Sequence, residues 1–402
     1  MYDVIVIGAR CAGAALSLML ARAGLRVLAI DRAEFPSDTM SGHYIHPAGI
    51  SCLDRLGLRE KLHATGAPAQ DTVTVDFGPL ALTGTPAPAP DGTVSGYAPR
   101  RFIFDPMLAA AAVEAGAEFW QGVTFLAPLI EDGRVVGISG VSRGGQSVTA
   151  RARLVVGADG KRSRFAEAVG AQRYNINPPT TCTFYAYWSG FDAAHTHLFV
   201  RPGRFWVVAP TNDELTFLGI VWPLAAFRQI RADIGEAYRQ ACAEVAWIRE
   251  RIGGATQAQR FVGTHDVGGF FRTPSGPGWA LVGDAGYHKD PITVQGMTDA
   301  LLDAELLAEA VLAGLGGLRP LDAALADYGR RRDARAASMY ALTNDMARLA
   351  PPTPEMTALV GALQDSPTET RRFLGVMAGT VPIGDFFAPD NLRAIMGTGL
   401  AA

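Results

Sequence analysis

The sequence predicts an α/β fold: a helix-covered parallel sheet, a second domain built on an antiparallel β-sheet inserted within it, and a helical C-terminal segment. Three observations predict it. Residues 2–7, YDVIVI, form a continuous apolar strand that runs into a glycine-rich turn and an apolar helix. Residues 184–227 hold 11 aromatics in 44 positions, against 9% for the whole chain, which marks a twisted sheet with one apolar face. Residues 294–345 read as mostly helix, and PPTP at 351–354 opens a last segment anchored on Phe373, Phe386 and Phe387.

Taken in order, Gly8 to Gly13 turn the first strand into a helix over Ala14–Ala23, Gly24 stops it, and Leu25–Ile30 form the next strand. Residues 72–100, rich in Pro, Gly and Thr, read as short strands or an excursion from the first domain. MLAAAAVEAGAE over 107–118 is a helix ended by Gly116, and 134–157 is a β-meander around a Gly-Gly turn. A helix follows over 233–252, and WALVGD at 279–284 returns to the buried-strand pattern. No repeat is visible. The last segment either closes over the second domain or makes a homodimer contact.

Composition sets limits. The 402 residues are 49% hydrophobic and 19% charged, below the roughly 25% charged of ordinary soluble domains, so a large core is expected. A net charge of −3 gives no general attraction to nucleic acid or anionic membrane. Four scattered cysteines form no CxxC pair or zinc ribbon, so no metal site is expected and a reducing compartment is. The first strand begins at residue 2 with no basic region before it. The most apolar helical stretch, 297–315, is broken by Asp299, Asp303, Glu305 and Glu309, so it cannot span a membrane. A cytoplasmic protein is the expectation.

Gly8-Ala9-Arg10-Cys11-Ala12-Gly13 fills a G-x-G-x-x-G frame with Arg10 in place of the middle glycine. The first glycine permits the tight turn and the last lets helix and strand approach. Amides at the helix start then bind a pyrophosphate, in a Rossmann-like arrangement. Arg10 either adds its charge to the phosphate contacts, the favoured reading, or points to solvent. Asp31, ending the next strand, can accept hydrogen bonds from a ribose. Two further strands end alike, LVVGADGKRS in Asp159-Gly160 and WALVGDAG in Gly283-Asp284. Each aspartate can accept from ligand hydroxyls or cap a helix.

The order of Gly8–Gly13, Gly157-Ala158-Asp159-Gly160, then Gly283-Asp284-Ala285 with Pro291 and Gln295-Gly296-Met297 resembles the single-component FAD-dependent monooxygenases related to para-hydroxybenzoate hydroxylase. Geranylgeranyl reductases and flavin-dependent halogenases share that superfamily. The resemblance spans about 1–345. It implies an FAD-binding domain in three pieces, 1–72, 101–177 and 266–345. Residues 178–265 would be the substrate-binding sheet domain, with 73–100 contributing, and 346–402 the C-terminal helical segment.

By position, the resemblance puts Gly8, Arg10, Cys11, Ala12 and Gly13 on the FAD phosphates and Asp31, beside Arg32, on the adenosine ribose. Arg101 and Val123 would also reach the cofactor, Asp159-Gly160 would support it, and Gly283-Asp284 would hold the ribityl chain or pyrophosphate. NADH or NADPH would dock transiently as electron donor. Pro291 would belong to the cofactor site, and Gln295-Gly296-Met297 would abut the flavin N1–O2 edge. The helix start there would stabilise an anionic reduced flavin, which with oxygen gives the flavin C4a-hydroperoxide.

The segment Ser37–Pro47 would run beside the ring, making His43, Tyr44 and His46 candidates for substrate contact or proton transfer, with His43 and His46 favoured as catalytic. Tyr287 and His288 form a second pair. Tyr185, Tyr187, Trp206 and Trp222 would line a substrate pocket with Tyr44, although strand alternation sends about half of the sheet's aromatics into the core. The reaction implied is NAD(P)H- and O2-consuming hydroxylation or epoxidation of a small apolar, aromatic compound. Reduction of isoprenoid-type double bonds is the first alternative. A non-catalytic flavin-carrying binding protein is another. A halogenase needs a lysine between flavin and substrate and a W-x-W-x-I-P motif. FWVVAP at 205–210 keeps only part of that motif, and of the three lysines only Lys289 lies near the right end.

Overall fold

Strand Tyr2–Ile7 is apolar throughout because it is the centre of a sheet covered on both sides. In the computed structural model, which describes residues 1–397, it pairs in parallel with Ser147–Gly157 on one side and Val27–Asp31 on the other. Trp279–Leu281 and Glu118–Gln121 extend the parallel sheet outward, and Ser275–Gly276 adds an antiparallel edge. Alternate residues of the central strand serve opposite layers. Val4 and Val6 pack with helices Cys11–Arg22, Arg101–Glu114 and Gly296–Leu315. Ile5 and Ile7 pack with Phe125, Val135, Ile138 and Phe165.

That second layer is a three-stranded meander, Val123–Glu131, Arg134–Ser142 and Ser147–Gly157. Its first strand was not visible in the sequence pattern. The helix read from residue 107 begins at Arg101 and carries Pro106 in its second turn. The stretch 294–345 is two helices, Gly296–Leu315 and Leu321–Met346, parted before Pro320. Residues 233–252 likewise divide, at Val245, into Ile234–Glu244 and Ala246–Ile252.

The aromatic-rich region forms a second sheet in the order Thr256–Gln257, Thr181–Ser189, Leu215–Pro223, Arg204–Pro210, Thr196–Arg201, Val73–Asp76, Ala81–Gly84. All neighbours are antiparallel except Val73–Asp76, which joins Thr196–Arg201 in parallel. Strand alternation divides its aromatics. Phe184, Trp188, Trp206 and Trp222 face outward, packed beneath the helices of 227–252 against Tyr238 and Ile248. Tyr185, Tyr187, Phe205 and Phe217 face inward.

Helices Pro354–Gln364, Pro367–Ala378, Ile383–Phe386 and Pro389–Met396 fold back over this inner face, burying Leu363, Phe373, Leu374 and Phe386 against it. All four cysteines are free and buried. Among the described residues no helix is long and apolar enough to cross a membrane, and no cluster of His, Cys, Asp and Glu could hold a metal ion.

Candidate functional site

Three strand ends meet at one edge of the parallel sheet. Gly8 has φ +99°, and a Cβ there would lie 2.4 Å from the Ala158 carbonyl oxygen. A Cβ on Gly13 would lie 1.8 Å from the Gly8 oxygen, so no side chain fits at either position. Ala158 N donates to the Ile7 oxygen at 2.7 Å, and Val282 N to the Gly157 oxygen at 2.9 Å. Gly283, at φ +59°, packs so close to Ala12 that a Cβ would meet the alanine methyl at 2.8 Å. No side chain caps helix Cys11–Arg22, so its first amides remain donors beside the other two turns. Asp31 braces this edge: its carboxylate accepts from Ala9 N at 2.9 Å and Ala33 N at 2.8 Å.

The Arg10 guanidinium donates to Asp105 Oδ2 at 2.7 Å and to Ser37 Oγ at 2.8 Å, so its charge is matched within the protein. Asp105 is fully buried, and its other oxygen accepts from Arg101 Nε at 2.8 Å. Cys11 Sγ completes the cluster at 3.5 Å from Asp105 Oδ1. Only Nε of the largely buried Arg101 guanidinium is bonded, which leaves its terminal nitrogens as donors.

Asp159 acts as a cap, accepting from Ser163 Oγ and, at 3.2 Å, from Phe165 N. Gly160, at φ +80°, has open space where a Cβ would stand. Asp284 is exposed amid buried neighbours and has no hydrogen-bond or ion-pair partner among the described residues. Arg32 is exposed, and the Val123 side chain is packed into the layer behind the sheet, so neither side chain joins the cluster.

Helix Gly296–Leu315 starts with Gly296 exposed, and a Cβ there would meet nothing within 4 Å. Pro291 opens the turn Pro291–Thr293, capped by Asp290, whose carboxylate accepts from Ile292 N at 2.9 Å. Val294 follows at φ 54°, a left-handed conformation that strains a β-branched residue. Gln295 is buried, its Nε2 donating to the Met377 oxygen of the C-terminal region, and Met297 packs into the helical layer.

The loop 41–47 is pinned to this helix start. His46 N donates to Thr298 Oγ1 at 2.9 Å, and His46 Nε2 lies 3.3 Å from the Thr293 oxygen. The ring of Tyr44 stands 4.8 Å from that of His46. His43, at φ 55°, turns the other way, into the inner face of the second sheet. Its ring lies 5.7 Å from Tyr185, 5.6 Å from Tyr187 and 5.7 Å from Phe217.

Among the described residues neither His43 nitrogen has a partner, nor has the Tyr187 hydroxyl. Burial, aided by Arg101 and Arg100, lowers the His43 pKa to about 3, and burial lowers His46 to about 4. Both imidazoles are therefore neutral near pH 7. Burial also raises the hydroxyl pKa values of Tyr185 and Tyr187.

Tyr185 and Tyr187 are thus brought to His43, whereas Trp206 and Trp222 are not. One residue of alternation turns both tryptophans to the outer face, so the expectation that they line the pocket is corrected. Tyr287 accepts from Lys289 Nζ at 3.0 Å, and His288 Nδ1 sits 3.1 Å from the Gly268 oxygen, both within side packing. Each lysine is paired: Lys61 with Glu114, Lys161 with Asp266, Lys289 with Asp299. Sequence reasoning missed Asp105, for which the i,i+4 spacing from Arg101 was the available signal. It also missed Arg100, whose guanidinium carbon lies 5.1 Å from the Tyr187 ring centre.

These residues fit FAD. Unused helix amides, the unpaired Asp284 carboxylate, free Arg101 donors and an open Gly296 lie along the edge from the first turn to the aromatic face. Comparisons agree. Digeranylgeranylglycerophospholipid reductase 2 of Methanopyrus kandleri is 28% identical over 325 residues, covering 77% of this chain and 78% of that protein. Ubiquinone hydroxylase UbiL of Rhodospirillum rubrum is 28% identical and covers 99% of this chain and 93% of that protein. The solved structure of the myxobacterial chondrochloren halogenase CndH shares the fold, with a TM-score of 0.80 at 22% identity over 98% of this chain and 96% of that one. The family model for the FAD binding domain matches residues 1–343, and the chain accordingly belongs to that family as an FAD-dependent oxidoreductase.

Proposed function

We propose that this chain is an NAD(P)H- and oxygen-consuming monooxygenase that hydroxylates or epoxidises a small apolar, aromatic compound. The observation that carries the proposal is the unpartnered, buried His43 ring inside the Tyr185–Tyr187–Phe217 wall, on the loop pinned to the start of helix Gly296–Leu315. The likeness to the ubiquinone hydroxylase, which runs through the C-terminal segment as well, supports hydroxylation. In this reading the second sheet is an inserted substrate domain, residues 178–265, to which 73–100 contribute.

Amides of Cys11–Gly13 and the Arg101 guanidinium would hold the FAD phosphates, Asp31 the adenosine ribose, and Asp284 a cofactor hydroxyl. Gly296 would admit the ring. The chemistry FAD supplies when bound is passage of electrons from NADH or NADPH to molecular oxygen. The protein's own contributions are three. Tyr185, Tyr187 and Phe217 stack an aromatic substrate and exclude water. The helix start presents a positive dipole end and free amides. Neutral His43, whose protonation burial disfavours, accepts a hydrogen bond from a substrate hydroxyl and so orients it.

A second reading, reduction of an isoprenoid-type double bond, draws on the likeness to the digeranylgeranylglycerophospholipid reductase, which stops short of the whole chain. Halogenation is disfavoured because all three lysines are ion-paired. The test is NAD(P)H oxidation by the flavin-loaded protein against a panel of aromatic compounds, in air and under nitrogen. Stimulated oxidation with an oxygenated product formed only in air supports the proposal; with a polyprenyl compound added to the panel, a product gaining two hydrogens under nitrogen supports the reductase reading.

A further inference from the structure

The inner face of the second sheet encloses a small cavity. Tyr44, Val207 and Val294 line it from three directions, and Leu374 and Met377 close it from helix Pro367–Ala378. No charged side chain lines it, its surface is mostly hydrocarbon, and its open core is about 30 Å³, room for one or two waters. A ring or alkyl chain enters only if a wall yields.

The walls are unequal. Val207 belongs to a strand paired on both sides, and the ring of His46 is tied to the Thr293 oxygen. Met377 is half-buried and Leu374 is buried against the inner face, both on a helix that stops at Gly379, φ +73°. Methionine, unbranched with three rotatable bonds, is the side chain best able to repack around a guest.

Two observations tie this space to the flavin end. Val294, which lines it, holds its strained left-handed conformation two residues before the open Gly296. Such strain persists only where the surroundings impose it. Gln295, between them, donates from Nε2 to the Met377 oxygen at 2.5 Å. The helix start and the yielding wall are therefore one hydrogen-bonded unit.

We propose that Leu374 and Met377 are specificity-determining residues, and that this cavity takes an uncharged hydrocarbon portion of the substrate, a ring or short chain, whose size they set. The inference rests on the reading of 291–297 as the flavin end. It gives the C-terminal segment a role in substrate choice.

The test is binding of two neutral probes, indole and the larger 2-naphthol, followed calorimetrically on protein with and without FAD. Met377→Ala and Leu374→Ala remove the wall, Met377→Leu preserves it, and Met377→Phe fills the space. The expected result is a preference for naphthol over indole raised at least ten-fold in either alanine variant. Met377→Leu keeps the parental ratio, and Met377→Phe weakens both probes at least ten-fold. Should the alanine variants fail to fold, loss of binding in Met377→Phe carries the test. An unchanged ratio in folded alanine variants, or undiminished binding in Met377→Phe, overturns the inference. If the ratio shifts but no compound stimulates NAD(P)H oxidation, the cavity assignment stands and the monooxygenase reading falls. Stimulated oxidation with an unchanged ratio has the opposite meaning: the cavity assignment falls and the monooxygenase reading stands.

Discussion

His43 and Tyr187 stack with ring centres 5.6 Å apart and planes 23° from parallel, while both imidazole nitrogens and the phenol oxygen lack a hydrogen-bond partner among the described residues. A buried polar group left unmatched costs about 1–3 kcal/mol. The fold nevertheless maintains this pair through a left-handed His43 backbone. Asparagine tolerates that backbone conformation but cannot reach as far. In His43→Asn we expect FAD retained, coupled turnover lowered at least ten-fold, and hydrogen peroxide per NAD(P)H consumed increased. Stopped-flow flavin spectra and peroxide assays check this. Unchanged coupling would remove His43 from the reaction.

Acid should destabilise the protein through its buried histidines. Burial holds His43 near 3 and both His46 and His197 near 4, against 6.5 when unfolded. The unfolded chain therefore binds more protons between about pH 6.5 and 4, so stability is full above that window and falls as pH drops through it. The loss from His43 alone across that window is on the order of 3 kcal/mol, at about 1.36 kcal/mol per pK unit. Asp290 opposes this, because burial raises its carboxyl to about 6 and its contribution falls as pH rises from about 4 to 6. Denaturant melts from pH 7 to 4 should show a decline that is shallower in His43→Asn and steeper in Asp290→Asn.

Asp105 neutralises two arginines at once, Arg10 and Arg101. Removing one partner of a buried ion pair costs about 3–5 kcal/mol. Asp105→Ala should lower the melting temperature and weaken FAD at least ten-fold, since freed guanidinium groups no longer fix the first turn. Arg10→Lys should have a smaller effect on both, because lysine keeps the charge but loses the fork. Fluorescence titration with FAD and thermal melts measure the two effects separately.

Much of this site was legible in the chain. The three glycine-bearing strand ends were readable because strand, turn and helix are local, and Gly8, Gly13 and Gly283 stand where their neighbours leave no room for a Cβ. The early start of the helix at Arg101 was not, because Pro106 reads as a first-turn residue although it lies in the second turn. That error hid Asp105. Aromatic content announced the second sheet but not its facing, which a single residue of register decides, so Trp206 and Trp222 were placed on the wrong side. The left-handed Val294 carries no sequence signal, since its conformation is imposed by tertiary contacts rather than by valine.

Two glycines separate structural from cofactor demands. Gly13→Ala forces a Cβ into the Gly8 carbonyl and should unfold or aggregate the protein. Gly296→Ala meets nothing within 4 Å, and alanine favours a helix by up to about 1 kcal/mol. That variant should melt at or above the parental temperature without FAD yet bind FAD at least ten-fold more weakly. Equal FAD affinity would separate Gly296 from the cofactor.

The origin of the oxygen atom is the most direct measurement for the whole account. Flavin-loaded protein would be turned over on a responsive aromatic compound under ¹⁸O₂ with NADH or NADPH, and the product weighed by mass spectrometry. One ¹⁸O atom per product molecule, with one NAD(P)H consumed for each, is the predicted result. Product carrying no label, or formed equally well without oxygen, would contradict it.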